Sequence, residues 1–197
     1  MKQYLKEYVY NNIKIISIIM MCLIIGITIG VIIFNYSNQE VKEKLINLSS
    51  ETLKTAKNEN FEGINILLSG IKNNIPVICI VYFSAITYIP LLLINIVSIL
   101  KGISIGIYIA ILVSLLGITK GIILSLIIIV FPNVIYTMAY IYICNNSIVL
   151  HNKIKDGICK IYDVFLELIN VIIGFSFIFL SVILEQITVI IAINKLL

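Results

Sequence analysis

The chain has 197 residues, of which 60% are hydrophobic and only 12% are charged. So few polar residues cannot cover the surface of a water-soluble domain, and the composition therefore predicts one integral membrane domain over residues 1–197, surrounded by lipid. The net charge of +4 is spread over the connecting segments and forms no dense basic stripe. This excludes nucleic acid as a partner.

Long runs without a charged residue predict the membrane spans. A bilayer core about 30 Å thick is crossed by roughly 20 apolar residues of a helix. Spans must be helical because hydrocarbon offers no partner for a free backbone N–H group. The sequence therefore predicts an all-α, polytopic membrane bundle of about five transmembrane helices. They lie at residues 15–34, 75–100, 102–119, 121–150 and 168–193.

The segment from 35 to 74 is the only long stretch predicted outside the membrane. Ser37 and Glu40 have the spacing of a capping box, in which each side chain bonds a free N–H group at a helix start. Apolar residues then recur at helical spacing, which predicts an amphipathic helix with a docking face for a partner. That face comprises Val41, Leu45, Leu48 and Leu53.

The second half of this segment predicts another helix. Asn58-Glu59-Asn60 is expected to end the first helix. An apolar stripe from Phe61 to Ile71 then predicts a helix that lies on the membrane surface. A helical connector without any partner is the alternative for the whole segment.

The number of lysines on each side of the membrane does not decide the orientation of the chain. With the N-terminus inside, seven lysines fall on each side of the membrane, which is a tie under the positive-inside rule. The inner lysines are concentrated in short loops, including the one around Cys159, whereas five of the outer ones are spread over residues 35–74. We therefore expect a cytoplasmic N-terminus and an outer C-terminus.

Two prolines are expected to disturb the spans. Pro90 lies in the middle of the second run and predicts a kink there. Pro132 divides the fourth run, which is either one kinked, tilted span or begins with a re-entrant segment at 121–131.

Small residues recur at every turn of the third run and predict a helix-packing seam. Such seams let helix backbones approach closely. Gly26 and Gly30 form a similar pair in the first run. We interpret the seam as packing within the bundle, and a homo-oligomer is the alternative. Its members are Gly102, Gly106, Ala110, Ser114, Gly117 and Gly121.

Glu185 is the one ionisable residue within an apolar run. It either belongs to an ion or proton path, or stands in the membrane interface at the end of a span that closes near Leu184. The second interpretation is preferred, because few other polar residues lie within two turns of it in the same run.

The chain contains no recognisable catalytic, metal or cofactor set. Its single histidine, His151, cannot build a zinc-protease motif or a Ser/His/Asp triad with the acids available. Its four cysteines lack paired spacing and are interpreted as free thiols. We therefore expect no enzymatic activity and no cofactor.

Three stretches, in their order and spacing, resemble the stage II sporulation protein M family. They are Lys72-Asn73-Asn74, Leu100 to Gly106, and Gly117 to Leu126 followed by Phe131-Pro132-Asn133. The length, the five runs and the single polar segment after the first run also fit this family. The resemblance therefore covers nearly the whole chain.

The resemblance implies a multi-pass cell-membrane protein of endospore formation. It implies a scaffold at the septum that anchors two peptidoglycan-degrading partners, stage II sporulation proteins D and P, during engulfment by the mother cell. A transporter or permease subunit is the alternative, since kinked spans and Glu185 suit one. A structural membrane protein without a specific partner is a third interpretation.

Overall fold

This computed structural model describes the backbone of residues 2–57 and 63–196, and the described residues form helices joined by short turns. Side chains are described for residues 13–51, 70, 72–127, 129, 131–185, 187 and 188. A π-helical segment lies at Leu126–Val130. The helices are α1 Lys2–Tyr36, α2 Gln39–Lys57, α3 Gly63–Ser84, α4 Pro90–Leu116, α5 Ile118–Ser125, α6 Phe131–Lys155 and α7 Ile161–Leu196. The all-helical fold class is confirmed.

The five long helices alternate in direction. α1 and α4 run parallel, α6 is antiparallel to both α4 and α7, and α3 is antiparallel to α7. The turn after α3 therefore lies at the same end of the bundle as the turn between α6 and α7. The contacts that define these directions join Gly26 to Gly102, Ser98 to Tyr140, Ser181 to Pro132, Gly70 to Val182, and His151 to Ala85.

Three helical stretches of the described chain are long and apolar enough to cross a membrane. They are Ile13–Tyr36, Pro90–Leu116 and Ile161–Glu185. Their outward faces carry large exposed apolar side chains such as Met21 and Phe165, which is the surface that lipid covers. The chain is therefore a membrane protein, while the count of five spans stays a prediction.

The predicted break between the second and third runs is wrong. Lys101 lies inside α4, and the chain turns instead at residues 85–89. The predicted kink at Pro90 is also wrong, because Pro90 is the first residue of α4. Proline fits that position since its missing N–H group would have no partner in the first helical turn. A charged residue within an apolar run was misread as a loop.

The predicted capping box is wrong as well. The Ser37 hydroxyl donates to the carbonyl of Ile33, 2.7 Å away, and so completes the end of α1. α2 begins at Gln39, with the Asn38 carbonyl accepting from the next turn. Because α1 extends to Tyr36, Ser37 directly follows this helix and its hydroxyl bonds to the last turn of α1 rather than to the first turn of α2.

Residues 63–71 of the predicted surface helix are part of a longer one. α2 ends at Lys57, and residues 58–62, where the break was expected, lie outside the described residues. α3 then continues from Gly63 through Lys72 to Ser84 without interruption. The polar residues at 72–74 are carried inside this helix, where Asn74 is buried and its amide donates to the Gly70 carbonyl.

The fourth run is helical throughout, from α5 through the π segment to α6. Pro132 has no N–H group, which removes one helical hydrogen bond. The N–H of Phe131 reaches the Leu126 carbonyl in a wider turn, and the Asn133 side chain donates to the Ile129 carbonyl at 2.7 Å. The interruption is therefore a π-bulge within a helix. No turn or loop divides this run.

The apolar core lies where α1, α3, α4, α6 and α7 meet. Tyr140 links its polar part: its hydroxyl donates to the Ile94 carbonyl at 3.1 Å and lies 3.2 Å from the Ser98 hydroxyl. The fully buried apolar side chains at this junction include Ile19, Val81, Ile94, Ile143, Cys144 and Ile178.

Candidate functional site

Gly102 and Gly106 face α1, where Gly26 and Gly30 face α4. A Cβ atom added to Gly26 would lie 2.9 Å from the Cα of Gly102, closer than side chains approach backbone. An added Cβ on Gly106 would collide with the Ile27 carbonyl. The two helices therefore touch backbone to backbone, and this part of the seam is occupied within the chain.

The other small residues of the predicted seam have separate surroundings. Ala110 is buried beside Phe34 of α1. Ser114 is exposed, and Gly117 forms the turn after α4 with a φ of +80°. Gly121 lies on α5, where an added Cβ would come within 2.9 Å of the Val113 nitrogen. The six residues therefore form no continuous face.

The predicted docking face on α2 is divided by the fold. Leu45 packs against the cluster of Phe34, Ala110 and Ile111 and so holds α2 on the bundle. Val41 and Leu48 lie on the same side of α2 as Leu45 but stay exposed, with 46% and 62% of their surfaces accessible. The Leu53 side chain lies outside the described residues.

A basic side chain lies among aromatic rings on another face of α4. The Lys101 ammonium is 4.2 Å from the centre of the Tyr136 ring of α6. The Lys101 side chain is half-buried there, as is that of Glu185 on α7, and no salt bridge joins the two. The sequence prediction missed this cluster because it assigned Lys101 to a loop.

A second acid, Glu167, lies between α6 and α7. It is 4% exposed, and the buried Ser147 hydroxyl donates to it at 3.4 Å. Nearby, the Tyr142 hydroxyl donates to the Asn170 side chain at 3.0 Å. The predicted fifth span began one residue after Glu167, so this acid was not considered. Its helical spacing with Asn170 and Gly174 was the available signal.

Polar contacts join the helices at the end of the bundle where α6 turns into α7. Lys153 and Asp163 form a salt bridge of 2.6 Å, and the His151 ring lies 3.1 Å from the Ala85 carbonyl. The hydrogen bond to Asp163 raises the pKa of Lys153. His151 thus joins α6 to the turn after α3. Cys159 lies in the turn beside them and is partly exposed.

Within the described residues, no three His, Cys, Asp or Glu side chains come together in a way that could hold a metal ion. The four cysteines are free thiols, at positions 22, 79, 144 and 159. Several polar groups of the bundle pair across helices, among them Ser98 with Tyr140 and Ser147 with Glu167. This arrangement suits helix association.

Comparison with known proteins identifies a family for this chain. The family model described as stage II sporulation protein M matches residues 17–193. No curated protein and no solved structure matches the chain.

Proposed function

Because the chain belongs to the stage II sporulation protein M family, and so is a sporulation-related membrane protein, we propose that it is a non-enzymatic scaffold of endospore formation. In this proposal it anchors peptidoglycan-degrading partners, stage II sporulation proteins D and P, in the septal membrane during engulfment. The single observation that carries the proposal is the family match, which spans nearly the whole chain.

The contacts between α1 and α4 exclude their glycine faces as a binding surface for a partner. Gly26, Gly30, Gly102 and Gly106 already contact one another's helices within the chain. A membrane anchor of a partner therefore has no access to these small residues. This directs the search for the docking surface to the segment outside the spans, and there to α2.

α2 supports docking through two exposed apolar side chains. Leu45 fastens the helix to α4, while Val41 and Leu48, which are two turns apart, stay exposed. Exposed apolar residues at this spacing are typical of a helix that enters a groove of its partner. We assign the docking face to Val41 and Leu48, and the role of Leu45 to packing.

Affinity capture from sporulating cells tests this proposal. Replacing Val41 and Leu48 by Asp is expected to abolish capture of the hydrolase partners while membrane insertion and protein level stay normal. Asn47→Asp is the matched control, because it adds an acid to the exposed side of α2 without removing an apolar side chain. Undiminished capture and normal engulfment in the double variant would remove α2 from the docking surface.

The proposed orientation has a separate test at Cys159. With Cys22, Cys79 and Cys144 replaced by Ala, a membrane-impermeant thiol reagent is expected to label Cys159 only after the cells are opened. Labelling in intact cells would reverse the orientation and place α2 in the cytoplasm, where it could not meet a wall hydrolase.

A further inference from the structure

Two turns of the chain form one end of the bundle. One is the turn between α3 and α4, and the other is the turn between α6 and α7. The His151 ring lies 3.1 Å from the Ala85 carbonyl and so holds the two turns side by side. Two of the stretches able to cross a membrane, Pro90–Leu116 and Ile161–Glu185, begin directly after these turns.

The apolar run of α1 begins at the same end. α1 is parallel to α4, with Gly26 against Gly102. Because both helices rise equally per residue, Lys14 lies about level with Pro90, each 12 residues before its glycine. Three membrane-crossing stretches therefore start in about one plane. The boundary between hydrocarbon and water runs through this end of the bundle.

Large apolar side chains project from the tips of both turns. Tyr88 is fully exposed, and 90% of the Ile161 surface is exposed. Exposed apolar patches of this kind mark contact with a membrane or a partner, and tyrosines at the ends of spans lie at the level of lipid headgroups. The exposed side chains of the two tips include Ile86, Tyr88, Ile89, Ile158, Ile161 and Tyr162.

Exposed charges differ between the two ends of the bundle. At the opposite end, the exposed charged side chains described on α2 and α5 are two lysines and three acids. At this end three exposed lysines, Lys14, Lys155 and Lys160, stand against one exposed acid, Asp156. The surface next to the apolar tips is therefore positively charged, and it is complementary to an anionic partner.

We propose that this end of the bundle binds anionic phospholipid. Lys155 and Lys160 contact the lipid phosphate, while Tyr88, Ile161 and their apolar neighbours insert beside the upper acyl chains. Lipid headgroups lie at the depth where the spans begin, and a phospholipid offers both an anion and an apolar part. The proposal is independent of the docking face on α2, which lies at the opposite end.

Lipid titration of the full chain tests the proposal. The protein is held in an uncharged detergent, and native mass spectrometry counts bound phosphatidylglycerol or phosphatidylcholine with identical acyl chains. Wild type is expected to bind phosphatidylglycerol at least about fivefold more tightly, because each lysine near an anionic lipid strengthens binding about fivefold. Tyrosine fluorescence in the same detergent follows the binding at rising salt, where the preference is expected to shrink.

Three double variants locate the binding. Lys155→Gln with Lys160→Gln is expected to reduce the preference to within about twofold, whereas Lys155→Arg with Lys160→Arg keeps the charges and is expected to preserve it. Lys44→Gln with Lys120→Gln is the matched control, since it removes two exposed lysines from the opposite end. It is expected to leave the preference unchanged.

The proposal is overturned if wild type binds the two lipids equally, or if the preference survives Lys155→Gln with Lys160→Gln. An equal loss in the control pair would mean that any exposed lysine attracts the lipid, and would overturn it too. If polyglutamate displaces the bound phosphatidylglycerol and itself binds more tightly, the surface belongs to an acidic protein segment instead.

Discussion

α4 meets its neighbours in two contrasting ways. Toward α1 it presents Gly102 and Gly106, and the two backbones touch. Toward α6 it presents long or polar side chains, with Lys101 on the Tyr136 ring and Ser98 beside the Tyr140 hydroxyl. The first contact leaves no room for any side chain, while the second depends on what particular side chains carry.

This contrast reflects two sources of helix association in a membrane. Lipid tails are as apolar as the helices, so association depends on close van der Waals contact and on hydrogen bonds between helices. The interface of α1 with α4 uses the first source and the interface of α4 with α6 uses the second. We expect the glycine interface to fail on any enlargement, and the polar interface to tolerate changes that preserve shape.

The largest effect is expected at the glycine interface. Gly106→Leu would drive a side chain into the Ile27 carbonyl, and overpacking of this kind costs roughly 1–3 kcal/mol. Ser104→Leu is the control, because Ser104 is on the same helix and exposed. The yield of intact, protease-resistant protein measures the loss. Equal yields from the two variants would show that α1 and α4 do not touch there.

A smaller effect is expected at the aromatic ring under Lys101. Tyr136→Leu removes the cation–π contact, which contributes about 0.5–2 kcal/mol. Tyr136→Phe keeps the ring and removes a buried hydroxyl that has no hydrogen-bond partner, so it should be neutral or stabilising. Thermal unfolding in detergent compares the two variants. A loss from Tyr136→Phe as large as that from Tyr136→Leu would assign the role to the hydroxyl instead.

The smallest effect is expected at the end of the bundle. Asp163→Asn breaks the salt bridge with Lys153, but Lys153 is 42% exposed, where water and salt weaken such pairs. The raised pKa of Lys153 means that the pair stabilises below the pKa of an unfolded lysine, about 10.4, and that this is lost as the pH rises through the folded pKa. Unfolding curves at neutral pH should nearly coincide for variant and wild type. A clear shift would mean that this turn is more buried than the structure indicates.

The fold class and the first helix could be predicted from the sequence because uncharged apolar length is a strong signal. Ile15 to Phe34 lies inside α1, whose span is set by hydrocarbon thickness. The small-residue spacing of Gly102 and Gly106 also indicated close packing. The spacing did not show which helix these glycines contact. Their partner, Gly26, lies on α1, which is separated from α4 in the sequence by α2 and α3.

The positions of the turns could not be predicted in the same way. The turn at residues 85–89 contains no charged residue, whereas the charged Lys101 lies in the middle of α4. A charge ends an apolar run in sequence, but in the bundle an aromatic ring from another helix can accommodate it. Those neighbours are known only once the helices are packed, so Lys101 and Glu167 were missed for the same reason.

The parallel contact between α1 and α4 has a consequence for biosynthesis. The ribosome delivers α1 first, and its glycine face stays without its partner until α2, α3 and half of α4 have followed. At about 5–20 residues per second this takes roughly 4–15 s. During that interval the nascent first helix must be shielded by lipid or by the insertion machinery, and a chain truncated before Gly102 would never leave that state.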